Sequence, residues 1–130
     1  MMKRYLTSFF LFLACLSFVY ANDLDAALKK ADLENKLVLV EITRDFCPYC
    51  ERMEKSVLSK ADVKALIKKK YIFLKLNLSH DEIPYIFTSK LTPTFYFLNT
   101  KGEVLEELMG LMKKSDFIFY LNEISLQEKD

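Results

Sequence analysis

Leu37-Val-Leu-Val-Glu-Ile-Thr43 is a continuous run of strand length with a single charge in it, Glu41. Such a run keeps no polar face for water, so it suits a strand covered on both sides. Covering both sides takes helices above and below a sheet, which points to an α/β domain. The bulk composition agrees with one such domain: 130 residues, 52% apolar, 28% charged, formal net charge +1. That is enough for a core and too apolar for a disordered chain. A balance so near zero also excludes a general nucleic-acid binder, so no nucleic-acid partner is expected.

The first 21 residues read differently. Met1-Met2-Lys3-Arg4 is a basic start, Phe9 to Val19 is apolar apart from Ser17, and Val19-Tyr20-Ala21 suits a signal peptidase. These are the three parts of an export leader. We therefore expect a signal peptide over 1–21, a domain over 22–130, and a periplasmic or secreted location. Two weaker readings stand beside it. Tyr5 to Ala21 approaches the roughly 20 apolar residues needed to span a membrane, which would make an uncleaved anchor. Phe12-Leu-Ala-Cys15 loosely resembles a lipidation site. Cleavage removes Cys15 along with Lys3 and Arg4, leaving Cys47 and Cys50 as an isolated dithiol. Two cysteines so close are no disulfide framework.

Past the leader, the apolar spacing of Leu24, Ala27, Leu28 and Ala31 predicts a helix over 23–34. The strand at Leu37–Thr43 follows, and Cys47-Pro48 opens a second helix, since proline at a first helical turn loses no hydrogen bond. Ser59 is read as the cap of a third helix with Val63, Leu66 and Ile67 inward, closed by the solvated turn Lys68-Lys69-Lys70. Tyr71 to Leu78 is the second strand, parallel to the first because a helical crossover joins them. A short helix is expected within 79–91, a third strand over Thr92–Leu98, a turn at Asn99–Gly102, and a fourth strand over Glu103–Leu108. Gly110 marks a bend. Ser115 caps a last helix with Phe117, Tyr120, Leu121 and Ile124 inward. The sum is a four-stranded mixed sheet with helices on both faces.

Cys47-Pro48-Tyr49-Cys50 lies between the buried strand and a helix start. There the first thiol faces unpaired N–H groups and the positive end of the helix dipole, which favours its thiolate. Cys47 is therefore read as the exposed nucleophile, with Cys50, one turn in and more buried, able to close a Cys47–Cys50 disulfide. Structural zinc needs four ligands, and two cysteines with a remote His80 do not make a set. No metal is expected, and His80 reads as a surface loop residue.

Residues from Leu24 to Ile124 resemble the thioredoxin fold family. The resemblance is carried by Val38-Leu-Val-Glu-Ile-Thr-Arg-Asp-Phe-Cys-Pro-Tyr-Cys50, Lys75-Leu-Asn77, Thr92-Pro93-Thr94, and Lys101-Gly-Glu-Val104 with Gly110. It implies that Pro93 is a cis-proline against the dithiol, and that Thr92-Pro93 presents backbone to a substrate chain. It also implies that Glu41 is the buried acid that takes the proton of Cys50. The alternative for Glu41 is a solvent-reaching side chain or a lysine pair. Phe46 stands where thioredoxins usually carry tryptophan and is expected to shield the site as an apolar lip. Tyr49 is expected to face solvent, and both are candidate substrate contacts.

The departures narrow the match. Pro-Tyr between the cysteines is the glutaredoxin dipeptide, yet the glycine pair that helps seat glutathione is missing. The chain is similar to exported bacterial thioredoxin-like proteins and to the soluble C-terminal domain of the membrane-embedded disulfide reductase. Only 13 residues separate Leu78 from Thr92, too few for the inserted helical domain of the strong periplasmic oxidases. The expected function is exported thiol–disulfide oxidoreduction, most simply reduction of client disulfides, with no cofactor. Its partners would be client proteins with thiols or disulfides and a thiol protein that supplies or accepts electrons, a membrane-embedded one included. The protein is expected to be a monomer. The alternatives are a disulfide oxidase or isomerase, and a non-enzymatic metal or protein binder using the dithiol as a soft ligand.

Overall fold

The computed structural model describes residues 22–128; 1–21, read above as an export leader, and 129–130 lie outside the described residues. Helix α1 spans Asp23–Glu34. The Asn22 side chain accepts the Asp25 N–H at 2.8 Å, and Asp23 and Asp25 sit at the positive end of the dipole. Asn35 ends it in the left-handed region at φ 53°, where Asn is among the few non-glycine residues at ease.

Strand β1, Leu37–Thr43, is buried from Val38 onward. Helix α2 runs Pro48–Met53 and continues as a π-helical turn over Glu54–Leu58, where the Ser59 N–H reaches the Glu54 carbonyl at 2.9 Å. Helix α3 is Ala61–Lys70, β2 Tyr71–Asn77, β3 Thr94–Leu98, β4 Val104–Met109 and α4 Lys114–Gln127. The sheet order is β2-β1-β3-β4, with β1 parallel to β2 and antiparallel to β3, and β3 antiparallel to β4. This is the four-stranded mixed sheet with helices on both faces that the sequence implies.

Alternation along β1 divides its side chains between two cores. Leu39 joins Met53, Val63, Phe95, Phe97, Phe117 and Leu121 on the side of α2, α3 and α4. Val38, Val40 and Ile42 join Leu24, Ala31 and Tyr96 on the side of α1. Tyr71 ties two elements of the first core together: its ring meets Phe97 edge-on at 5.7 Å and its hydroxyl donates to the Leu121 carbonyl at 2.6 Å. Tyr71→Phe keeps the ring and removes that hydrogen bond between β2 and α4, so a loss of about 1 kcal/mol is expected. A lower urea midpoint at an unchanged slope is the result that checks it.

Several local expectations are corrected. Residues 79–91 form turns and bends with no helix. The Asn77 side chain accepts the Ser79 N–H, and Asp81 accepts the Asn77 N–H, so side chains there take up the backbone that a helix would use. The third strand starts at Thr94, two residues late, because the peptide before Pro93 is cis. Ser59 is not the cap of α3. The π turn carries the chain on to Leu58, Ser59 donates back to the Lys55 carbonyl at 3.1 Å, and Lys60 is the cap. Lys113, not Ser115, precedes α4. Tyr120 is 36% exposed and meets Phe119 rather than the core, whereas Phe117, Leu121 and Ile124 are buried. Lys70 is no solvated residue: its ammonium donates to Asn122 and Ser125 of α4, at 2.9 Å each.

Candidate functional site

The C-terminal end of β1 delivers the chain to the dithiol through Arg44, Asp45 and Phe46. Asp45 is pinned from the loop after β2: its N–H donates to the Ser79 hydroxyl at 3.0 Å, and Asn77 Nδ2 donates to its Oδ1 at 3.0 Å. His80 Nε2 lies 3.2 Å from the same carboxylate oxygen. His80, read above as a plain surface residue, thus belongs to the clasp on the loop before Cys47.

Cys47 is the N-cap of α2. Its Sγ accepts the Cys50 N–H at 3.2 Å, its carbonyl accepts the Glu51 N–H at 3.1 Å, and Pro48 fills the first turn. Cys47 and Cys50 are joined in a disulfide, with their Cα atoms 5.2 Å apart. The Thr92–Pro93 peptide is cis, and Thr92 lies against Cys47. The Thr92 hydroxyl oxygen is 3.3 Å from Cys47 Sγ and its carbonyl oxygen 3.7 Å. The Gly110 N–H holds the Pro93 carbonyl at 2.7 Å, which fixes the segment to the end of β4.

Two expectations about this surface are corrected. Cys47 is 4% exposed and Cys50 is half-buried, the reverse of the expected order, because the Thr92–Pro93 segment packs onto the first sulfur and not the second. Phe46 is no lip over the site. Its backbone is left-handed at φ 53° and its side chain, 98% exposed, stands clear of the protein. Tyr49 faces solvent, as expected, at 58% exposure.

Behind the helix, Glu41 is 1% exposed and neither carboxylate oxygen has a hydrogen-bond partner. Lys75 Nζ approaches to 4.0 Å from the solvent side. Burial pushes the Glu41 carboxyl up to about 7; the Lys75 charge works against that shift and the Glu54 charge adds to it. Cys47, Cys50, Glu54, Lys75 and Asn77 line one open cleft beside it. Glu54 and Lys75 were not singled out as site residues from the sequence. A signal for Lys75 was present: parallel strands starting at Leu37 and Tyr71 place Glu41 opposite Lys75. Among the described residues, no three His, Cys, Asp or Glu side chains gather as a metal set.

A dithiol on a helix start, with the residue before a cis-proline against its first sulfur, is a constellation that can be compared directly with known proteins. Residues 24–125 match the family described as thioredoxin-like domain. The chain belongs to the thioredoxin-like family. Its Cys47–Cys50 pair fits the Cys-x-x-Cys active site, and it is a thiol–disulfide oxidoreductase of that family. This thioredoxin-like protein is 31% identical over 99 residues to Thioredoxin H4 of Arabidopsis thaliana, covering 73% of this chain and 78% of that one. It is 25% identical over 109 residues to the thiol:disulfide interchange protein DsbD of Colwellia psychrerythraea, covering 78% of this chain and only 18% of that protein's length. A solution structure of a thioredoxin from Thermus thermophilus superposes with a TM-score of 0.68 at 27% identity, covering 76% of this chain and 81% of that one. No helix among the described residues is long and apolar enough to cross a membrane.

Proposed function

We propose that this protein is an exported reductant of client-protein disulfides, made as a leader over 1–21 and a working domain over 22–130. The observation that carries the reading is the setting of Cys47 Sγ, which accepts the Cys50 N–H and lies against the Thr92 backbone. A donor N–H at the head of a helix stabilises negative charge on that sulfur, so Cys47 is assigned as the nucleophile despite its burial. Its thiolate attacks a client disulfide, forming a mixed disulfide and releasing one client thiolate. Glu41 accepts the proton of Cys50, and the Cys50 thiolate attacks Cys47 Sγ. The second client thiolate leaves and the Cys47–Cys50 disulfide remains. Thr92 and Pro93 present backbone to the client, and Phe46 and Tyr49 offer it apolar contact. Two electrons pass to the client in each cycle and are restored by another thiol protein, which a membrane-embedded donor could be. The match to one part of DsbD supports a place in such a relay, and the basic, apolar start of the chain supports export.

The deciding measurement is the reduction potential of the pair against a dithiothreitol buffer. A value near the −270 mV or so of thioredoxin is expected; one near the −120 mV or so of strong oxidants would replace the reading with an oxidase. Protein recovered from a periplasmic extract should begin at Asn22. Stoichiometric metal together with no reduction of insulin would turn the site into a soft-ligand binder.

A further inference from the structure

We propose that the outer edge of β2 is a docking site for an extended segment of a partner protein, apolar along its middle and acidic at its ends. β2 is a terminal strand of the sheet, and no described strand covers its outer side. An open edge is a template for main-chain pairing, and sheets ordinarily blunt their edges with charge or cover them. The opposite edge, β4, is blunted in that way by Glu106 and Glu107, with Glu103 just before it. β2 carries no charge from Tyr71 to Leu74; Lys75 comes late and is turned toward Glu41.

The edge lies in a groove between α1 and α3. Leu58, Ile67, Ile72 and Phe73 give it apolar walls, and Phe73 is 41% exposed. Its rim is basic. Lys30, Lys36, Lys64 and Lys68 line it against Glu34 and Glu54. Glu34 is already engaged by Lys36 at 3.1 Å and by Lys30 at 3.9 Å. Lys64 and Lys68 stand exposed on α3. An added strand would take its affinity from main-chain hydrogen bonds, and its selectivity from side chains that fit the groove and its rim. The excess of lysine selects acidic ends.

The test uses a short peptide of alternating Val and Thr ended by Glu, against the same peptide ended by Lys. Bound to the purified protein, the Glu peptide should slow exchange of the β2 amides that face away from β1 by about tenfold, with the rest of the sheet unchanged. It should bind about fivefold more tightly than the Lys peptide, the scale expected for two exposed charge pairs. Replacing both Lys64 and Lys68 by Glu should reverse that preference and leave insulin reduction untouched, because neither residue lies at the dithiol. Failure of the reductase reading would not alter these results. Equal affinity for the two peptides overturns the proposal, as does protection elsewhere in the chain. A concentration-dependent dimer protecting 71–77 overturns it, and so do outward-facing β2 amides that are already slow without peptide.

Discussion

Cys47→Ser is expected to lower turnover of disulfide substrates by about three orders of magnitude, to the level of uncatalysed exchange, because a hydroxyl does not ionise into a nucleophile at neutral pH. Cys50→Ser should behave differently. Attack by Cys47 survives, resolution does not, and the protein accumulates as a mixed disulfide visible as an added mass under non-reducing conditions. The contrast is informative here because exposure and electrostatics rank the two sulfurs in opposite orders. Cys50 is the more accessible sulfur, while Cys47 has the helix N–H donor. If adducts build up on Cys47→Ser and not on Cys50→Ser, accessibility has won and the assigned roles are reversed.

Glu41→Gln should make the protein more stable and less active. The carboxyl titrates near 7 in the folded chain against 4.5 for an unperturbed glutamate. Between those values the folded chain keeps a proton that the unfolded chain has lost, so wild-type stability falls as pH rises through the window and is lowest above about 7. At 1.36 kcal/mol per pH unit the full loss is about 3 kcal/mol. Gln carries no charge at any pH, so the variant should match wild type near pH 4 and exceed it by about 3 kcal/mol at pH 8. Lys75, half in water, loses little when its partner goes. Removing the proton acceptor should slow resolution by about a hundredfold and remove the limb of the pH–rate profile near 7. A uniform stability change across pH would mean that Glu41 is ionised throughout, held by Lys75. Unchanged resolution would mean that the proton leaves by another route.

The parts of the fold that were legible in the sequence are those whose causes are local. The helix Asp23–Glu34 and the strand Leu37–Thr43 were placed to the residue, since apolar spacing marks the one and an apolar run defines the other. The cysteine pair is visible in its spacing and Glu41 as a charge inside an apolar run, whereas the cis bond before Pro93 came from the family resemblance alone. Features set by packing were not. Nothing in Glu54-Lys-Ser-Val-Leu58 announces a π turn, yet that turn displaced the cap expected at Ser59. The relative burial of the two sulfurs depends on where residue 92 comes to rest, 45 positions along the chain from Cys47. The clasp of Asp45 by Asn77, Ser79 and His80 joins two loops that meet only because β1 and β2 are parallel and in register.

The disulfide closes a ring between residues only three positions apart, across a corner that β1 and α2 already hold. On ring size alone such a link removes little entropy from the unfolded chain, about 2 kcal/mol at most. Around a thermodynamic cycle, whatever the link adds to the fold the fold must add to the link. The fold can therefore shift the redox balance away from that of an unstructured dithiol through groups whose hold on the sulfurs differs between the two states, the Cys50 N–H and Thr92 being those that touch Cys47. A donor of electrons must be a molecule whose oxidised form is the sturdier of the two, and in this chain that preference is written in a handful of contacts around one corner.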